Sequence, residues 1–274
     1  MIDPKVLDKM MPYMTTDYGN ASSSEHMYGW TSNEAVNRSR EQISNLINCS
    51  PNEIFFTSGA TESNNIAILG SVNLDDFNTH SITIKTEHKS VLDIFKHLSK
   101  NGVSTTYIDV RSDGIVDLEE IENAIIPETK IISIMIANNE IGVIQPIEEI
   151  SKICERNNII LHVDGAQALG KINLDLMKMN INLMSFSSHK IYGPKGIGAL
   201  YINRKTMKNR INPITFGGGH ENGLRPGTLP VHSIAGFGEA CQIAKKELDK
   251  NYTLINSLTN LMLDKLSKGF DEII

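Results

Sequence analysis

Lys190 lies in the run Ser187-Ser188-His189-Lys190-Ile191-Tyr192-Gly193-Pro194-Lys195-Gly196, after an expected strand and before a glycine-rich turn. Asp164 closes a second apolar run, Ile159-Ile160-Leu161-His162-Val163. Each alone has an ordinary reading, a solvated lysine or a turn-forming aspartate. Together, an amine and a carboxylate at two strand ends are what pyridoxal phosphate requires. The amine forms a Schiff base with its aldehyde, and the acid keeps its ring nitrogen protonated so that the ring accepts an electron pair. Gln167, Ser187 and His189 add groups able to hydrogen-bond a ring hydroxyl and a phosphate.

A phosphate cradle is expected where the apolar Ile54-Phe55-Phe56 leads through Thr57-Ser58-Gly59-Ala60-Thr61-Glu62-Ser63 into a helix. Small and hydroxylated residues at a helix start leave free N–H groups and the positive end of the dipole facing an anion, although the same residues also serve as plain caps. His88, after Lys85-Thr86-Glu87, has a ring that can stack on a pyridine or relay a proton. With Asn139, Asp164 and Lys190 it makes a set of polar residues at four expected strand ends, where open α/β sheets bind ligands.

The elements that must position these groups follow from apolar periodicity. Strands are predicted at 81–85, 105–110, 130–136, 159–163, 182–187 and 198–202, and helices at 33–47, 62–73, 90–100, 118–125 and 147–157. Their alternation predicts an α/β fold with a largely parallel sheet. Phe216-Gly217-Gly218-Gly219-His220, running on to Gly223 and Gly227, reads as an irregular loop at an interface. From Val231 onward the pattern is helical, with Leu254, Ile255, Leu258, Leu261, Met262 and Leu266 on one side.

The 274 residues are enough for a sizeable core, and 26 basic against 32 acidic residues, without a basic run, argue against nucleic acid. No apolar stretch approaches the ~20 residues of a membrane span, and Met1-Ile2-Asp3-Pro4 lacks the pattern of a signal peptide. A small-molecule substrate is expected instead. Cys49, Cys154 and Cys241 are far apart and lack Cys-x-x-Cys spacing, so neither a disulfide framework nor a metal site is expected.

The chain resembles the cysteine desulfurases, class V aminotransferases among the fold-type-I pyridoxal phosphate enzymes. The resemblance rests on Thr57 to Asn64, Thr86-Glu87-His88-Lys89, Asn138-Asn139-Glu140-Ile141-Gly142, His162-Val163-Asp164-Gly165-Ala166-Gln167, Ser185 to Gly196, and Gly217-Gly218-Gly219-His220-Glu221, in that order along the chain. It implies a large domain with a mostly parallel seven-stranded sheet and helices on both faces. Residues 1–30 would form an N-terminal helix and active-site loop, 31–235 the cofactor domain, and 236–274 a linker helix toward a small domain outside this sequence.

By the same resemblance, Lys190 carries the cofactor, Asp164 pairs with its ring nitrogen, and His88 stacks on the ring as acid or base. Ala60, Thr61, Ser187 and His189 hold the phosphate, while Asn139 and Gln167 reach the substrate amine and ring hydroxyl. The segment Arg225-Pro226-Gly227-Thr228 occupies the place from which a family threonine reaches the neighbouring subunit's phosphate, which implies a homodimer. The implied reaction converts L-cysteine to L-alanine and passes sulfur, as a persulfide, to an iron–sulfur scaffold protein or to tRNA thiolation. None of the three cysteines matches the family nucleophile, its loop and the carboxylate-binding arginine have no counterpart, and Ala21, Ser24 and Pro226 depart from the usual residues. A chain truncated at both ends is therefore expected, in the bacterial cytoplasm or the mitochondrial matrix. The alternatives are a catalytically silent cofactor-binding partner or scaffold, and another class V lyase or transaminase.

Overall fold

In the computed structural model, which describes residues 1–72 and 78–270, the chain builds seven helices and seven strands. In order they are α1 (Pro4–Met14), α2 (Met27–Ile47), β1 (Ile54–Thr57), α3 (Ala60–Ser71), β2 (His80–Ile84), α4 (Lys89–Lys100), β3 (Ser104–Ile108), α5 (Leu118–Ala124), β4 (Thr129–Met135), α6 (Ile147–Arg156), β5 (Ile160–Asp164), β6 (Leu183–Ser187), β7 (Gly198–Ile202) and α7 (Val231–Gly269).

The strands form one sheet in the order β1-β7-β6-β5-β4-β2-β3. Parallel pairing joins β6, β5, β4, β2 and β3, whereas β7 runs antiparallel to both β6 and β1. Since β1 is thereby parallel to β6, its end at Thr57 opens on the same side as the ends of β2, β4, β5 and β6. The fold is the α/β architecture expected, with two corrections. Ile54–Thr57 is a strand rather than only an apolar lead-in, and α2 begins at Met27, six residues before the predicted start at Asn33. Four residues are too short for a period to show, and His26 caps α2 by accepting from the Gly29 N–H, a start signal outside the usual cap residues. The predicted end of α3 at Asn73 lies outside the described residues.

Side chains alternate across the sheet into two cores. Ile82, Ile132, Leu161, Val163, Met184, Phe186 and Tyr201 meet α1, α2, α5, α6 and α7 on one face. Ile131, Ile160, Leu183, Leu200 and Ile202 meet α3 and α4 on the other. By the same alternation Ser133, His162, Asp164, Ser185 and Ser187 share the α3 face, so a polar strip crosses the sheet beneath that helix. Its groups satisfy one another: His162 Nδ1 lies 2.7 Å from Ser133 Oγ and Nε2 lies 3.0 Å from Ser185 Oγ.

Candidate active site

The chain direction of the parallel strands brings the predicted residues to one edge of the sheet. A pocket of about 370 Å³ there is lined by Ala60, Thr61, His88, Asn139, Asp164, Gln167, Ser187, His189 and Lys190, together with Glu62, Ser90 and Lys195. Of the predicted residues only Thr228 is absent from the lining; it is exposed on the loop before α7. A wider depression of about 660 Å³ beside α2 is lined by Ser22, Trp30, Arg40 and Glu221, without a lysine among them. The chemistry of the lining, rather than its size, singles out the smaller pocket.

Asp164 ends β5 and is 5% exposed. Its Oδ1 accepts from the Ala166 N–H at 3.0 Å and its Oδ2 from Asn64 Nδ2 at 3.0 Å. Asn64, fully buried on α3, also donates to Ser90 Oγ at 3.0 Å. Ser90 continues the chain, with its hydroxyl 2.8 Å from His88 Nδ1 and its N–H donating to the same nitrogen at 3.1 Å. That donation makes Nδ1 an acceptor, so a neutral His88 carries its hydrogen on Nε2. His88 is at once the N-cap of α4 and a wall of the pocket.

Glu87 supports this corner from behind. It is 5% exposed, and its Oε1 accepts from the Met135 N–H of β4 in a short hydrogen bond. The side chain thus continues the β2–β4 contact beyond the ladder, which ends at Thr83 and Ser133. Burial, then the charge of Asp164, pushes the Glu87 carboxyl well above the ordinary carboxylate range, against the pull of the Met135 and His88 N–H groups. That shift favours the protonated acid at Glu87.

Lys190 sits in a 3-10 turn, Ser188–Ile191, directly after β6. Behind it Lys171 has its amine lowered by burial and then by the charge of Lys190. Desolvation, followed by the charges of Lys190 and Lys195, also lowers His189, whose Nδ1 lies 2.9 Å from Ser187 Oγ. This end of the pocket is cationic and faces the first turn of α3, whose leading N–H groups have no acceptor within the helix. The two come close because Gly198 of β7 lacks a side chain: a Cβ there would lie 2.6 Å from the Gly59 Cα and 2.4 Å from the Phe186 carbonyl oxygen.

Sequence reasoning missed Asn64, Ser90, Glu87 and Lys195 as parts of the site. Asn64 did leave a signal, since Ala67 and Ile68, three and four residues on, are buried; it is a polar residue on an apolar helical face. The cysteines stay apart from the pocket. Burial raises the thiol of Cys154 to about 12 and raises that of Cys241; at Cys49 burial and then the Glu53 charge act together. Among the described residues no cluster of His, Cys, Asp and Glu could hold a metal ion, and no helix is long and apolar enough to cross a membrane.

The family profile described as Aminotransferase class-V matches residues 1–272. Over 274 residues the chain is 48% identical to the cysteine desulfurase IscS of Dechloromonas aromatica, covering 99% of this chain and 66% of that protein. It is 47% identical over 274 residues to the mitochondrial cysteine desulfurase of Drosophila melanogaster, covering 100% of this chain and 59% of the relative. Among solved structures, SspA in complex with cysteine superposes with a TM-score of 0.84 at 39% identity, over 88% of this chain and 69% of that one. The chain thus spans less than two thirds of the length of the curated relatives it matches.

Proposed function

We propose that this chain, which belongs to the aminotransferase class-V family, is the cofactor-binding part of a pyridoxal-phosphate-dependent cysteine desulfurase. The observation that carries the reading is the meeting of Lys190, Asp164, His88 and the start of α3 in one pocket of about 370 Å³. The relatives named as cysteine desulfurases, and the similar protein solved with cysteine, support L-cysteine as substrate.

The residues present fit the cofactor. The pocket offers the Lys190 amine beside a turn, one buried carboxylate in its floor, and, facing the start of α3, hydroxyls and a second cation, Lys195. When bound, pyridoxal phosphate supplies an electron sink for the pair left on the substrate Cα. Lys190 Nζ would hold the cofactor covalently and, when released, move a proton at Cα. Asp164, fixed by Asn64 and the Ala166 N–H, would hold a proton at the ring nitrogen. His88 would stack on the ring and exchange a proton at Nε2, its Nδ1 being engaged by Ser90. Ala60, Thr61, Ser187 and His189 would bind the phosphate, Gln167 the ring hydroxyl, and Asn139 the substrate amine region.

Residues 31–235 would form the cofactor domain, with the start of α7 at its back. Thr228, exposed and away from its own pocket, would serve the phosphate site of a second copy, which makes the working unit a homodimer. The sulfur acceptor would be a thiol other than Cys49, Cys154 and Cys241, and an iron–sulfur scaffold or a thiolation substrate would take the sulfur onward. Relatives from bacteria and from mitochondria support the bacterial cytoplasm or the mitochondrial matrix as the compartment.

The test is a visible spectrum of the purified chain with pyridoxal phosphate, followed by borohydride reduction, peptide mapping, and addition of L-cysteine with dithiothreitol as the external thiol. The expected result is an absorption band lost in Lys190→Ala, a reduced label on Lys190, and a band that shifts on addition of L-cysteine; alanine released with sulfide would show that an external thiol can take the place of the family nucleophile. A band that survives in Lys190→Ala, or a label on another lysine, would overturn the assignment. A normal band and label without alanine would leave cofactor binding standing and show that this part by itself does not carry out the sulfur transfer.

A further inference from the structure

Glu62 is an awkward residue for a phosphate-binding pocket. It occupies the third position of α3, and its Oε2 accepts from the Ser58 N–H in a short hydrogen bond that closes the helix start. The same geometry makes a carboxylate part of the wall at the end where an anion would bind. Left alone, its charge would offset the positive potential that the helix dipole and the cations opposite offer an anion.

Arg225 meets that charge from the glycine-rich loop. Its Nε donates to Glu62 Oε1 at 3.0 Å and its Nη2 to Oε2 at 3.3 Å, a two-pronged pair in which the side chains are 19% and 26% exposed. A partly enclosed pair of this shape is screened less by salt than a surface one. Burial alone would raise the Glu62 carboxyl, but the hydrogen bonds from Arg225 and Ser58 hold it below its ordinary value. Glu62 therefore stays ionised and depends on Arg225 for neutralisation.

The pair also fixes the loop. Three residues after Arg225 comes Thr228, and the Gly227 N–H donates to His220 Nδ1 at 3.3 Å. On the other side Glu221 is anchored to Arg40 and to the Phe56 N–H. Two ion pairs therefore tie the loop down, one to α2 and β1 and one to α3.

Building on the cofactor reading above, we propose that Arg225 is a positioning residue for phosphate recognition: it cancels the Glu62 charge at the pocket rim, which would otherwise repel the phosphate. The pair is a charge-compensating device rather than a direct phosphate contact.

The experiment measures equilibrium binding of pyridoxal phosphate and of phosphate-free pyridoxal, by absorbance, to the wild-type chain, Arg225→Ala, Glu62→Gln and the Glu62→Gln/Arg225→Ala double variant. Inorganic phosphate serves as the competitor. The expected result is that Arg225→Ala weakens pyridoxal phosphate about tenfold, the size of one lost charge-assisted pair, and leaves pyridoxal unchanged. The double variant, in which no stray carboxylate remains, recovers most of that loss. A double variant as weak as Arg225→Ala, equal loss for both ligands, or no loss at all would overturn the inference. Because the double variant lacks the same arginine, its recovery also excludes misfolding as the cause. A wild-type chain that binds neither compound would overturn the cofactor reading itself, an outcome distinct from intact binding in Arg225→Ala.

Discussion

Asn64 and Asp164 are joined across the boundary between α3 and the sheet, Nδ2 donating to Oδ2 at 3.0 Å with both side chains buried. The amide's other hydrogen goes to Ser90 Oγ, so one residue links the floor carboxylate to the His88 wall. Asn64 Oδ1 has no partner among the described residues.

Replacing Asn64 with leucine keeps the volume but strips Asp164 of one of its two hydrogen bonds. The expected cost is about 1–3 kcal/mol of stability, the penalty for an under-satisfied buried acceptor, together with weaker cofactor binding. Urea denaturation and cofactor titration measure the two effects; an unchanged midpoint and affinity would show that the link carries nothing.

Glu87 is expected to tolerate glutamine and not alanine. Because burial favours the neutral acid, Glu87→Gln retains an acceptor for the Met135 N–H at a cost within about 1 kcal/mol, whereas Glu87→Ala leaves that N–H unpaired at about 1–3 kcal/mol. Equal losses in both variants would mean that Glu87 is charged in the fold. Its raised value sets the sign of its pH dependence. Its contribution is full below the ordinary carboxyl range near pH 4.3 and declines as pH rises through the folded value, a decline that Glu87→Gln removes.

His162 acts in the opposite direction. Burial lowers it to about 3, so between pH 6.5 and about 3 the unfolded chain takes up a proton that the folded chain refuses. Its contribution is full above pH 6.5 and is lost as pH falls, by up to about 1.4 kcal/mol per pH unit. His162→Gln is expected to flatten that part of the stability profile, measured by denaturant titration from pH 7 to 4. A variant profile parallel to the wild type would refute the assignment.

Glu221 has a strained backbone, with φ of 48°, followed by Asn222 at 55°. What holds it is the pairing of its carboxylate with Arg40 at 2.7 and 3.0 Å and with the Phe56 N–H at 2.7 Å. Glu221→Ala leaves the Arg40 guanidinium uncompensated over the Phe56 ring and is expected to cost about 3–5 kcal/mol. The drop in thermal midpoint should be partly restored by Arg40→Met in the same chain. A drop without rescue would point to the loop backbone instead of the unpaired charge.

The sequence by itself determined the architecture and most of the polar residues that meet in the pocket. Six strands and most helices were legible because apolar periodicity records which faces are buried, and chain direction in a parallel sheet carries the residues after each strand to one edge. Lys190, Asp164, His88, Asn139 and the start of α3 were readable for that reason. Tertiary structure alone decided what lies between them. Ile54–Thr57 becomes a strand because β7 pairs with it. The Glu87 carboxyl is shifted up because the fold buries it and sets it beside Asp164, and Asn64 becomes the bridge because α3 crosses the polar strip of His162 and its serines. The pairing of Glu62 with Arg225 joins residues 163 positions apart. Such relationships depend on burial and on contacts between distant segments, which no local pattern encodes.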